Sequence, residues 1–146
     1  MHSPATYVID VPRLPRSGNK QRRTHWAQNR KEKLLFEDAL WLLAKAHKVP
    51  RTGTYTDALG RTHTEPQERR TVQVEFIKTR RGGTQDDRPN LHERTKSVLD
   101  AMKACGLIVD DSDRWIEYLN PTERRPRQSE QEKRTIITLT TGDHSA

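Results

Sequence analysis

Two pairs of adjacent aspartates, Asp86-Asp87 and Asp110-Asp111, stand close together in a chain of formal net charge +7. Between them Lys96 and Asp100 are four residues apart, and Glu93 precedes Lys96 by three. On a helix that spacing puts all three on one face. Adjacent carboxylates repel and raise one another's pKa unless a cation neutralises them. Hard oxygen donors without cysteine or histidine companions suit Mg²⁺ or Mn²⁺. If the chain leaves the helix and returns along its side, Asp87, Asp100, Asp110 and Asp111 surround one pocket, with Lys96 inside it. A cation there would bridge the carboxylates to a nucleic-acid phosphate, activate water and stabilise the departing oxygen of a phosphodiester. Lys96 would stabilise charge on the pentacovalent transition state or position the water. The same residues also admit a bland reading. Asp87 then caps a helix, Asp110 and Asp111 are solvated turn residues, and Lys96–Asp100 is a surface pair worth ~0.3–0.5 kcal/mol.

The rest of the chain says what such a pocket would meet. A length of 146 residues suits one domain, 1–146, with a single core. Hydrophobic residues make up 31% and charged residues 32%, so the core is thin and the surface heavily solvated. A pI near 9.9 points to a polyanionic partner, of which nucleic acid is the commonest. The charge is uneven. Residues 13–33 hold eight Lys/Arg and one acid, whereas 86–113 hold seven acids and four Lys/Arg. Arg13, Arg16, Lys20, Arg22 and Arg23, with Asn19 among them, form a cluster dense enough to favour phosphate contact. No long apolar run or signal peptide is present, so a cytoplasmic protein without a membrane partner is expected. One cysteine, Cys105, excludes an intramolecular disulfide, fits a reducing compartment and reads as packing rather than nucleophile. No ligand spacing suggests zinc. Trp26 reads as a helix anchor in the core rather than a base-stacking platform, and Trp115 and Tyr118 as sheet or dimer packing.

The positioning elements follow from periodicity. "TYVIDV" (6–11) predicts a strand, and the Pro- and Arg-rich stretch after it a loop. A helix is predicted from Trp26 to Lys48, ended by Pro50, with Leu35, Ala39, Leu42, Leu43 and Ala46 on its buried face. Residues 51–70 read as a flexible insertion with a small hairpin. "TVQVEFIK" (71–78) alternates as a strand. A second helix is predicted over 90–105, with Pro89 in its first turn, Asp87 at its N-terminus and Gly106 at its C-cap. Leu91, Thr95, Val98, Leu99 and Met102 form its buried stripe. "RWIEYL" (114–119) predicts a strand, 121–132 a charged loop, "KRTIITLTT" (133–141) the last strand, and 142–146 a polar tail. The order β-α-β-α-β-β gives an α+β domain: a small mixed sheet with two main helices packed on it.

Taken together, "DRPN" (87–90), Lys96, "LDAMKACG" (99–106) and "DD" (110–111) resemble the RusA-like Holliday junction resolvases, a family usually of phage or prophage origin. "VPRLPRSGNKQRRTHWA" resembles that family's N-terminal strand, proline loop and helix entry. The likeness covers most of the chain, with 51–68 as an enlarged loop. One position departs: where the family pattern Asp-x-Asp-Asn has its second Asp, this chain has Pro89. Asp86, Asp110 or Glu93 would then compensate, or the protein would bind junctions without cutting them well. The resemblance implies a Mg²⁺-dependent endodeoxyribonuclease, with Mn²⁺ as a substitute, that resolves four-way DNA junctions by paired phosphodiester hydrolysis. It implies a homodimer, whose two-fold axis presents two sites to two strands. It also implies selection by branched shape and phosphate positions rather than base reading, and a bacterial or phage-infected cytoplasm. Lys96, Asp87 and Asp111 are then catalytic, and Asp87, Asp100, Asp110 and Asp111 hold the metal. Arg13, Arg16, Asn19, Lys20, Arg22 and Arg23 bind DNA. Two other functions compete: an inactive branched-DNA-binding protein of the same fold, and a basic RNA-binding module whose acids are structural.

Overall fold

The computed structural model describes residues 4–15, 26–78 and 88–142, of which 88–90 by backbone alone. Alternation builds the sheet. In β7 (Arg134–Thr141) every second residue, from Thr135 through Ile137 and Leu139 to Thr141, is buried while its neighbours stay half-exposed. That is the period of a strand covered on one face. β7 lies between β1 (Ala5–Val11) and β4 (Arg70–Ile77) and is antiparallel to both. The other edge of β4 is filled in parallel by two short strands, β5 (Ile116–Tyr118) along Arg70–Val72 and β6 (Thr122–Arg124) along Glu75–Ile77. Leu119 N–H bridges the gap by donating to the Val72 carbonyl at 3.0 Å. The sheet is therefore small and mixed, and the domain is α+β as expected.

Two helices, α1 (Trp26–Ala46) and α2 (Arg88–Ala104), complete a core that joins Ile9, Val11, Val74, Phe76, Ile137 and Leu139 of the sheet to Phe36, Leu40, Val98 and Met102. The stripe expected on α2 is in place: Thr95, Val98, Leu99 and Met102 are buried, and Leu91 packs against the core. On α1 the expected face is displaced. Phe36, Leu40 and Ala44 are its buried residues, and Leu42 is 64% exposed. Leu34, Leu35 and Phe36 are consecutive, so periodicity alone does not choose between faces. The phenyl ring has the most apolar area to hide and takes the core. A second correction concerns 121–132, expected to be loop throughout. Thr122–Arg124 form β6 there because the β4 edge offers a ladder, not because the three residues alternate.

Segment 51–70 contains the expected hairpin, β2 (Gly53–Thr56) with β3 (Thr62–Glu65), as a separate two-stranded ribbon. Tyr55 anchors it: its ring stacks on His63 at 5.1 Å and tilts against Trp41 of α1 at 6.0 Å. The turn that ends α2 lies against the same ring. Gly106 has φ +75°, and Leu107 N–H donates to the Met102 carbonyl at 2.9 Å, the pattern of a Gly-closed helix terminus. A Cβ on Gly106 would stand 2.6 Å from Tyr55. On the far face of the sheet an ionic chain crosses four elements. Asp10 meets Arg134, Arg134 meets Glu130 at 3.9 Å, Glu130 meets Arg124 at 2.5 Å, and Arg124 meets Glu75 at 3.1 Å. Among the described residues no helix is long and apolar enough to cross a membrane.

Candidate functional site

The buried stripe of α2 fixes what its other side shows. With Val98, Leu99 and Met102 held in the core, Lys96 and Asp100 are exposed and Glu93 half-exposed. All three line a cleft of about 770 Å³ between α1 and α2. The opposite wall belongs to α1, with Trp26, Arg30, Lys33 and Phe36, and Leu14 and Pro15 close one end. The sequence spacing thus puts the predicted lysine and one predicted acid in the same concavity.

The acid turn returns to this helix. Lys103 lies one turn beyond Asp100 on the same face, and its Nζ is 3.2 Å from Asp110 Oδ1. Asp110's carboxyl is held below the usual carboxylate range, first by that hydrogen bond and next by the Asp111 backbone N–H. Asp110 and Asp111 themselves do not line the cleft that Lys96 and Asp100 share, so the expected single pocket of acids is not formed by the described residues. Asp111 is exposed beside Asp110. These donors are hard oxygens open to solvent, which fits Mg²⁺ in chemistry. Among the described residues no three His, Cys, Asp or Glu side chains stand close enough to hold a metal ion together. Asp86 and Asp87 lie outside the described residues.

The approach to the cleft is tied down from within. The Arg13 carbonyl accepts from the buried Thr135 hydroxyl at 2.7 Å, and the Pro15 carbonyl accepts from Arg94 Nη1 at 3.0 Å. Arg94 is itself buried, with its guanidinium 5.8 Å from the centre of the Phe76 ring. Such an arginine is held by its carbonyl partner and by cation–π attraction rather than by water. Arg13 is exposed at the start of this stem. Arg16, Asn19, Lys20, Arg22 and Arg23 lie outside the described residues, but the residues on either side, Pro15 and Trp26, both border the cleft.

Three features escaped the sequence reading. Trp26 is 69% exposed, not a core anchor, because it opens α1 ahead of the first residue that reaches the core. Arg94 was not singled out; nothing in its sequence neighbours reveals that a carbonyl 79 positions away would meet it. Glu37, on α1, has its carboxyl pushed up chiefly by burial; Lys33 opposes that, and the charges of Asp38 and Asp100 add to it. It brings a further acid within electrostatic reach of Asp100 from the opposite helix. Cys105 behaves as expected of packing: it is buried, its thiol is pushed up to about 12 by that burial, and it donates weakly to the Glu37 carbonyl at 3.6 Å. No protein-family model matches the chain, and no curated protein sequence matches it.

Proposed function

We propose that the chain is a Mg²⁺-dependent, structure-selective endodeoxyribonuclease acting on four-way DNA junctions as a homodimer. The observation that carries this reading is the return of Asp110 to Lys103, one helical turn from Asp100 and on the face that also bears Lys96. A surface salt bridge alone would be worth little. What matters is that the acid turn comes back to the helix whose exposed face bears Lys96 and Asp100. The α+β architecture, the Asp-Lys-Asp-Asp-Asp order and the flanking basic segment agree with the RusA-like resemblance.

In this reading Asp87 and the Asp110-Asp111 turn would hold the cation, which when bound would supply charge neutralisation and an activated water, while Asp100 stays on the cleft wall beside Lys96. Lys103 draws Asp110 to the α2 face. Lys96 meets the negative charge that builds on the phosphoryl oxygens in the transition state. Arg94 and Thr135 hold the stem that leads into the basic segment, so that phosphate contacts and chemistry share one frame.

Pro89 favours a second reading, a protein of the same fold that holds branched DNA and cuts it weakly, since one carboxylate of the family pattern is missing. A synthetic four-way junction incubated with and without Mg²⁺, beside a linear duplex of the same sequence, separates the two. Metal-dependent paired nicks are expected. Junction binding without nicks selects the second reading, and no preference for the junction defeats both.

A further inference from the structure

We infer that the cleft between α1 and α2 seats one unpaired base of a DNA strand, with Trp26 as its stacking platform. The inference rests on the proposed function for the chemistry at Lys96 and Asp100, but it concerns a ligand subsite which that reading does not need. The cleft's about 770 Å³ falls in the range, ~300–1,000 Å³, of sites that enclose a compact organic ligand. Its floor is apolar, from Leu14, Phe36 and Ala101, the last two buried. At its mouth the indole of Trp26 is 69% exposed, a large flat surface held on a helix rather than a loop.

Charge decides what kind of ligand fits. Arg30, Lys33 and Lys96 on the walls are matched by Glu32, Glu93 and Asp100. A pocket for phosphate would carry a cationic excess; this one is balanced. It therefore suits a neutral, planar group whose edge carries donors and acceptors, and whose phosphates stay outside. A nucleobase has that chemistry, and every base has a face that stacks on an indole. Seating a base here requires it to leave its own stack and its pair, which costs less at a branch point, where continuous stacking is already interrupted. Because Lys96 and Asp100 belong to the same wall, the seated base would fix which neighbouring phosphate reaches the acid turn. The cleft would thus position the strand, while the acids and the lysine act on it.

The experiment is a coupling measurement with the full chain and a four-way junction in Ca²⁺, to suppress cutting. Single abasic sites are moved through the branch region, and affinity is read by fluorescence anisotropy for the parent, Trp26→Ala and Ser97→Phe. Ser97 lines the cleft, and a phenyl ring at that position would intrude on it. Circular dichroism checks that both variants are folded. At one position the abasic site should weaken parent binding roughly 5- to 150-fold, the range for losing one stacked base. At that position it should cost either variant almost nothing. If no position shows this coupling, or if both variants bind the intact junction as tightly as the parent, the cleft takes no base. Coupling without Mg²⁺-dependent cleavage would defeat the nuclease reading and keep this one. Cleavage without coupling would do the reverse, and absence of any DNA binding would end both.

Discussion

Replacing Gly106 with alanine tests the joint between α2 and the acid turn. Two costs add. At φ +75° an L-residue carries the left-handed penalty of ~1–2 kcal/mol. The new methyl would also stand 2.6 Å from the Tyr55 ring, which has little room to retreat, with Trp41 at 6.0 Å and His63 at 5.1 Å centre to centre. Overpacking of this kind costs ~1–3 kcal/mol, so Gly106→Ala should lose ~2–5 kcal/mol, a large part of a stability that for most domains is ~5–15 kcal/mol. Gly60→Ala is the control. Gly60 has φ +81° but nothing within 4 Å of a Cβ, so only the backbone penalty applies. Any gain from stiffening the unfolded chain is common to both. Urea unfolding followed by circular dichroism gives the two losses, and their difference isolates the ring contact. Gly106→Ala should be worse by ~1–3 kcal/mol, and Tyr55→Ala in the same chain should remove most of that excess. Equal losses for the two glycines would refute the claim that the hairpin ring sets the turn.

Three further outcomes are expected. Asp111→Asn should abolish junction cleavage in single-turnover assays with saturating Mg²⁺ while junction affinity stays within about twofold, since a carboxamide keeps the shape and loses the charge that recruits a cation; cleavage at the parent rate would remove Asp111 from the site. Cys105, its thiol pushed up to about 12 by burial, should react with a disulfide reagent at pH 8 on the order of a hundredfold slower in the native chain than in urea, and equal rates would mean the thiol is open. Glu130 is held down to about 2, first by its hydrogen bond from Arg124, so its folded-state pKa lies below the ordinary 4.5 and the stability it adds is present above pH 4.5 and disappears as pH falls through about 2. The Tm of Glu130→Gln should therefore lie below the parent's at pH 7 and meet it near pH 2; a gap that persists at pH 2 would assign the effect to packing.

What could be read from residues alone was local. "TVQVEFIK" alternates, and its strand is one residue from where alternation puts it. The α2 stripe has no competing face, so its exposed side, with Lys96 and Asp100, followed at once. α1 was misread because three adjacent apolar residues satisfy two faces equally. β6 was invisible because its ladder belongs to β4. The return of Asp110 toward α2 was legible as a geometric condition, since Gly106 announces a reversal, but its partner Lys103 was not. Arg94, Glu37 and the exposure of Trp26 depend on which distant segment arrives beside them, and no spacing rule carries that information.

The order of the sheet bears on how the chain comes to function during synthesis. β7 is its centre, between β1 and β4, yet it follows both in sequence by a wide margin: Thr6 pairs with Thr140 and Thr71 with Thr140 as well. Until β7 has emerged from the ribosome, β1 has no ladder partner and β4 has only the short parallel strands β5 and β6, and non-local pairings of this span are slow to form. Thr135, the residue that fastens the Arg13 carbonyl, arrives in the same late stretch. A nascent chain therefore displays its polycationic segment well before the stem beneath it is fastened. The basic segment is present early in the life of each molecule, and the last of the framework beneath it comes late.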